Sequence, residues 1–149
     1  MFRSFMQDAL NEAEAAMARG EVPVGAVIAD PKTNEILARA GNETRQQNDP
    51  TAHAEILAIR RACTRLGTDR LPGLHLYVTL EPCPMCAAAI SAARLARLTY
   101  GASDPKSGGI EQGPRIFAHA QSHHRPEVIS GIHEAACAAL LTDFFAARR

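Results

Sequence analysis

The stretch Thr79-Leu80-Glu81-Pro82-Cys83-Pro84-Met85-Cys86 decides how this chain is read. It closes an alternating run in which Leu76, Val78 and Leu80 take every second position, so Leu74–Thr79 predicts a strand. Pro82 ends the strand, and a helix is expected from about Cys83 to Arg94. Helical positions i and i+3 share a face, so the sulfurs of Cys83 and Cys86 can reach one metal ion. A third ligand lies upstream, in Thr51-Ala52-His53-Ala54-Glu55. The whole pattern is H-x-E, 26 intervening residues, then P-C-x-x-C.

One imidazole nitrogen and two thiolates suit zinc in tetrahedral geometry. Three protein ligands leave a fourth position for water, the arrangement of a catalytic site; a structural site closes with four. His53, Cys83 and Cys86 are therefore the expected ligands of one zinc ion per chain. Both ligand groups fall at predicted helix starts, where free N–H groups and the helix dipole favour thiolate. Positions i and i+2 point to nearly opposite sides of a regular helix, so His53 is expected at the first helical position or just before it. Only then can His53 and Glu55 serve the same water. Glu55 is read as a proton carrier rather than a ligand. Glu81 is a poorer candidate, because it belongs to the strand end before Pro82. Cys63 and Cys137 read as buried thiols, and His119, His123 and His124 as loop packing rather than a second metal site.

The chain has 149 residues, one domain's worth, and 1–149 is read as a single domain. Its 16 basic and 16 acidic residues cancel, which argues against the broad basic surface of a non-specific nucleic-acid binder. Residues 1–93 carry 9 Lys/Arg against 11 Asp/Glu and residues 94–149 carry 7 against 5, so a local basic patch is left open. There is no apolar run of membrane-spanning length and no signal-peptide pattern, so a cytoplasmic location is expected. Four cysteines in such a chain favour metal ligands and buried thiols over disulfides.

Around the central stretch, a first helix over Ser4–Arg19 takes Ser4 as N-cap and Gly20 as stop, with Met6, Leu10, Ala13 and Met17 inward. Strands over 24–29 and 36–40 form a hairpin about Asp30-Pro31-Lys32-Thr33-Asn34. Asp49-Pro50-Thr51 opens a second helix that ends at Gly67, with Ile56, Ile59, Cys63 and Leu66 as its inward stripe. A short strand over 98–101, a long Gly-, Pro- and His-rich connection over 104–127, a brief strand at Val128-Ile129 and a last helix over 132–147 complete the chain. Helices alternating with strands after an initial hairpin predict an α/β protein, a three-layer α/β/α sandwich.

The same residues resemble the cytidine and deoxycytidylate deaminase superfamily, whose zinc pattern is the one quoted above. The neighbouring words resemble its bacterial tRNA-specific adenosine deaminases: Glu21-Val22-Pro23-Val24-Gly25-Ala26-Val27, Asn48-Asp49-Pro50, Tyr100-Gly101-Ala102-Ser103-Asp104-Pro105-Lys106 and the tail Leu140-Leu141-Thr142-Asp143-Phe144-Phe145. The resemblance implies a five-stranded mixed sheet of cytidine deaminase-like fold, a homodimer, and hydrolytic conversion of adenosine to inosine at the wobble position of a tRNA anticodon. It assigns Glu55 the proton shuttle, and Asn42 and the backbone of Ala54 the flipped base. Asp104 matches a contact to the nucleotide beside the target. Lys106, Phe144, Arg148 and Arg149 are expected to touch the anticodon stem-loop by stacking and phosphate pairing. Residues 107–127 depart from the family pattern. Two other readings stand beside this one: a deaminase of free guanine, cytosine or a nucleoside, with identical metal chemistry, and a zinc-stabilised RNA-binding module without catalysis.

Overall fold

The inner strands of the central sheet are short and largely buried, as strands covered on both faces must be, whereas the edge strands carry the exposed Glu35, Arg39 and Glu127. The computed structural model describes residues 4–148. Its elements run α1 (Met6–Ala18), β1 (Gly25–Asp30), β2 (Glu35–Gly41), α2 (Ala54–Leu66), β3 (His75–Leu80), α3 (Pro84–Ala92), β4 (Arg97–Ala102), a 3₁₀ turn (Ile116–Ala118), β5 (Glu127–Ile129) and α4 (Glu134–Ala146). The sheet order is β2-β1-β3-β4-β5. β1 pairs antiparallel with β2 and β3, while β3–β4 and β4–β5 are parallel, so the five-stranded sheet is mixed as the resemblance implies.

Alternation along the strands divides the core in two. Val27, Ala29 and Tyr77 pack with Phe5, Met6, Ala9 and Leu10 of the α1 side and with Cys137 of α4. Ala26, Ile28, Leu76 and Val78 face the other way, onto Ala54, Leu57, Ala58 and Ala62 of α2 and Ala87 and Ile90 of α3. The three layers are thus α1 with α4, the sheet, and α2 with α3. Two glycines let the first layer approach closely. A Cβ on Gly25 would stand 2.5 Å from the backbone nitrogen of Ala13, and one on Gly101 would stand 3.0 Å from Cβ of Cys137 and closer still to its sulfur.

Two expectations are corrected. The inward face of α2 is Ala54, Glu55, Leu57, Ala58 and Ala62; Ile56, Ile59 and Cys63 are only partly buried and Leu66 is exposed. Small residues let the helix lie close on β1 and β2, and the larger aliphatics turn to its flanks. The first helix begins at Met6 with Phe5 as its cap residue, and Ser4 contributes one step earlier, its hydroxyl accepting from the Met6 N–H at 3.3 Å. The sheet edge at β2 is covered from α2: Arg61 donates to the Arg39 carbonyl at 2.8 Å, and Arg65 to those of Ile36 and Leu37.

Candidate metal and base site

Two helix N-termini converge behind the end of β3. His53 is the cap residue of α2, extended at φ −73° and ψ 152°, and Cys83 is the cap residue of α3, extended at φ −69° and ψ 170°. Pro84 follows at a first-turn position where its missing N–H costs nothing. The extended cap conformation of His53 turns its ring back past the helix start, so the ring and the Glu55 side chain two residues on reach the same space. This is the local geometry expected from the H-x-E spacing. His53 Nδ1 lies 3.5 Å from Cys86 Sγ and 3.7 Å from Cys83 Sγ. Tetrahedral ligands at zinc–sulfur and zinc–nitrogen bond lengths stand about 3.5 Å apart. The trio can therefore hold a metal ion on its existing geometry, and its donor set of one imidazole and two sulfurs fits zinc.

Within the trio one thiol is already poised as a thiolate. The Cys83 thiol is held down to about 4 by the Cys86 thiol and the His53 ring hydrogen-bonded to it, against the opposing effect of burial. Cys86, buried beside that thiolate, is pushed up, and the hydrogen bond to Cys83 raises His53. Burial also pushes the Glu55 carboxyl up to about 7, a value suited to a group that both takes and gives a proton near neutrality. Glu55 is 4% exposed.

His53, Glu55 and Cys83 line a cavity of about 250 Å³ whose other walls are Val22, Val24, Asn42, Thr44, Leu80, Glu81, Asp104 and Ser107. Asn42 is buried, its side-chain amide donating to Thr44 Oγ1 at 3.3 Å and its N–H to the Val24 carbonyl at 3.0 Å. Ala54 is fully buried at the first helical position between His53 and Glu55. The cavity opens, across the shared residues Val22, Leu80, Asp104 and Ser107, into a groove of about 700 Å³. Lys106, Leu141, Phe145 and Arg148 form the outer wall of that groove.

Of the expected nucleic-acid contacts, the structure brings Asp104, Lys106 and Arg148 to the groove but not Phe144. The Phe144 ring is 4% exposed, lies under the Arg148 guanidinium at 3.5 Å and meets Phe145 edge-on at 5.3 Å. Phe145, 48% exposed, takes the groove position instead. Adjacent helical positions are about 100° apart, so a Phe-Phe pair presents one ring inward and the other outward. Arg149 lies outside the described residues. Two of the three histidines of the long connection make the expected loop contacts: His119 Nε2 meets the Pro114 carbonyl and His124 Nε2 that of Leu95, both at 2.6 Å. Sequence reasoning missed Val22, Val24, Thr44 and Ser107 as cavity walls. The Val22-Pro23-Val24 run ahead of β1 was the available signal for the first two, and nothing local marks Thr44 or Ser107.

The family model described as MafB19-like deaminase matches residues 2–149. A tRNA-specific adenosine deaminase of Agrobacterium fabrum (strain C58) is 55% identical over 145 residues, covering 97% of this chain and 94% of that protein. A solved structure from work on A-to-I editing by tRNA:A34 deaminases at the wobble position of transfer RNA superposes with a TM-score of 0.89 at 56% identity, covering 92% of this chain and 98% of the other. The guanine deaminase of Bacillus subtilis superposes with a TM-score of 0.66 at 33% identity, over 97% of this chain and 91% of that one. With its ligand trio, buried Glu55 and base-sized cavity, and with these likenesses over nearly its whole length, the chain belongs to the deaminase family of the tRNA-specific adenosine deaminases.

Proposed function

We propose that this protein hydrolyses adenosine to inosine, with release of ammonia, at the wobble position of a tRNA anticodon. The observation that carries the reading is the buried Glu55 carboxylate beside a His/Cys/Cys trio on the floor of a small cavity that opens into a wider groove. His53, Cys83 and Cys86 would hold one zinc ion per chain. That ion supplies Lewis-acid activation of water at neutral pH. Glu55 takes a proton from the attacking water and delivers one to the departing amine. Asn42 offers both a donor and an acceptor to the edge of a flipped purine, and the free N–H groups at the start of α2, at Ala54, border the same space. The cavity admits a base but no helix, so the target must leave its stack, which an anticodon loop permits.

The groove suits the rest of the loop. Phe145 supplies a face for stacking, Lys106 and Arg148 supply positive charge for phosphates, and Asp104 stands at the junction of cavity and groove. A patch of this size reconciles an anticodon stem-loop partner with zero net charge. One domain spanning 1–149 is consistent with two apolar layers sharing one sheet. Among the described residues no helix is long and apolar enough to cross a membrane, and a tRNA substrate fits a cytoplasmic location. Exposed Met85 on α3 and Leu66 on α2 are in keeping with a homodimer.

The test offers zinc-replete protein an adenosine-wobble anticodon stem-loop alongside free adenosine, cytidine, cytosine and guanine. Inosine formed in the RNA alone is the expected result. Turnover of a free base with the RNA untouched would overturn the substrate while keeping the chemistry.

A further inference from the structure

The Glu81 carboxylate faces the cavity wall yet has no capacity left for substrate. Its Oε1 accepts from the Asp104 N–H at 3.0 Å and the Ser103 hydroxyl at 3.2 Å. Its Oε2 accepts from the N–H groups of Ile110, Glu111 and Gln112 at 3.1, 2.9 and 2.9 Å. A carboxylate has about four lone-pair sites, so five donors saturate it. The residue is 2% exposed. The donors come from both ends of one loop, which is thereby folded back on itself around a single side chain. Gly108 packs at its centre, where a Cβ would meet the Glu81 carboxyl carbon at 2.6 Å. Gly109 donates to the Pro82 carbonyl at 2.8 Å, which ties the loop to the residue before Cys83. A second pin is the buried Tyr100 hydroxyl, which donates to the Glu111 carboxylate.

This clasp determines where the mouth of the cavity stands. Asp104 and Ser107 line both the cavity and the groove. Asp104 is held from two sides: its N–H by Glu81, and its own Oδ1 as acceptor from the N–H groups of Lys106 and Ser107 at 3.2 and 3.0 Å. We infer that Glu81 is a positioning residue for RNA recognition, which fixes the 103–112 loop so that Asp104, Lys106 and Ser107 form one rigid lip between the base cavity and the anticodon-loop groove. Its partners are backbone amides rather than reacting atoms, so it acts on substrate affinity rather than on chemistry.

The inference rests on the adenosine-deaminase reading, and its test separates the two. Zinc-replete wild type, Glu81→Gln and Ser103→Ala are compared on the adenosine-wobble stem-loop, with zinc per chain measured by elemental analysis. Glutamine keeps the shape but turns one acceptor into a donor facing backbone donors, a mismatch worth about a tenfold change. The expected result is a KM about tenfold higher in Glu81→Gln, a smaller rise in the exposed Ser103→Ala, kcat changed much less than KM, and full zinc in both. Ser103→Ala removes one of five donors and decides the matter if Glu81→Gln does not fold. Zinc loss would show that Glu81 serves the α3 cap instead; a fall in kcat with unchanged KM would show a role in chemistry; unchanged KM in both variants would show that the lip needs no clasp. Each of these overturns the inference, whereas an inactive wild type overturns only the substrate reading.

Discussion

Gly101→Ala joins the core to the groove in a single atom. The added Cβ would stand 2.9 Å from the Thr79 carbonyl and 3.0 Å from Cys137 Cβ, with the Cys137 sulfur nearer than either. Carbon contacts are comfortable at about 3.5–4.0 Å, so α4 must back away from β4 by about 1 Å. Overpacking of this kind costs about 2 kcal/mol, which for a chain of this size lowers Tm by roughly 4–8 °C. The consequence reaches function because Leu141 and Phe145, which wall the groove, ride on the same helix one and two turns beyond Cys137, and Arg148 follows directly after its end. A displacement near 1 Å in a substrate wall costs up to about 10²-fold in kcat/KM. The expected result is a lower Tm, a raised KM for the stem-loop and undiminished zinc. Cys137→Ala in the same chain removes the nearest clashing atom. Thermal melts of the two single variants and the double variant form a cycle, and the double variant should be more stable than the sum of the singles predicts. Strict additivity, or a Gly101→Ala protein as stable as wild type, would refute the argument that β4 glycine sets the seat of α4.

Glu55→Gln preserves shape and the His/Cys/Cys trio but removes the proposed proton carrier, so zinc by elemental analysis should stay at one per chain while turnover falls by about 10²–10⁴-fold; undiminished turnover would sink the assignment. Cys86→Ala removes a buried, proposed ligand and should abolish both zinc content and activity, and stoichiometric zinc in that variant would refute the ligand set. Phe145→Ala should raise KM for the stem-loop by the roughly 1–3 kcal/mol that a stacked base contributes, whereas Phe144→Leu should be felt first in the melting temperature. Asp49 accepts from the Thr51 hydroxyl at 2.7 Å and the Thr51 N–H at 2.8 Å, which hold its carboxyl below the usual range. Its contribution is complete above the unfolded-state value and is lost as pH falls through the lower folded value, so Asp49→Asn should flatten the acid limb of Tm against pH. An acid limb identical to that of wild type would show that this turn is uncoupled from folding.

The His/Cys/Cys trio was legible in sequence because its three side chains are fixed by two helix starts. His53 and Cys83 are cap residues with extended backbone, and Cys86 follows within the first turn of α3, so spacing alone carries the geometry. Strand positions were legible for the same local reason, since alternation in β1 and β3 assigns each side chain to a layer. The mixed orientation of the sheet has no local signal, and it came from resemblance. The stripe of α2 was misread because periodicity follows the largest aliphatics, while the helix seats its alanines against the sheet and turns Glu55, a charged residue, inward. A local rule is broken there because the site needs the carboxylate buried.

The long connection illustrates the remaining limit. Residues 104–127 look like an unstructured loop, rich in glycine and without periodicity. Their order is written elsewhere, in a glutamate more than twenty positions upstream whose carboxylate gathers five donors. The 41–50 segment repeats the device on a smaller scale, with the buried carboxylate of Glu21 accepting from the N–H groups of Arg45 and Gln46 at 3.2 and 2.8 Å. In both cases a buried acid replaces a ladder or a core as the source of order, and in both the segment it orders borders the cavity, through Asp104 and Ser107 in one and through Asn42 and Thr44 in the other. Glu21 and Glu81 thus share a role that Glu55 does not: they spend their charge on donors of the segments they order, which leaves Glu55 as the buried acid of the cavity available to a substrate, with Asp104 at its mouth.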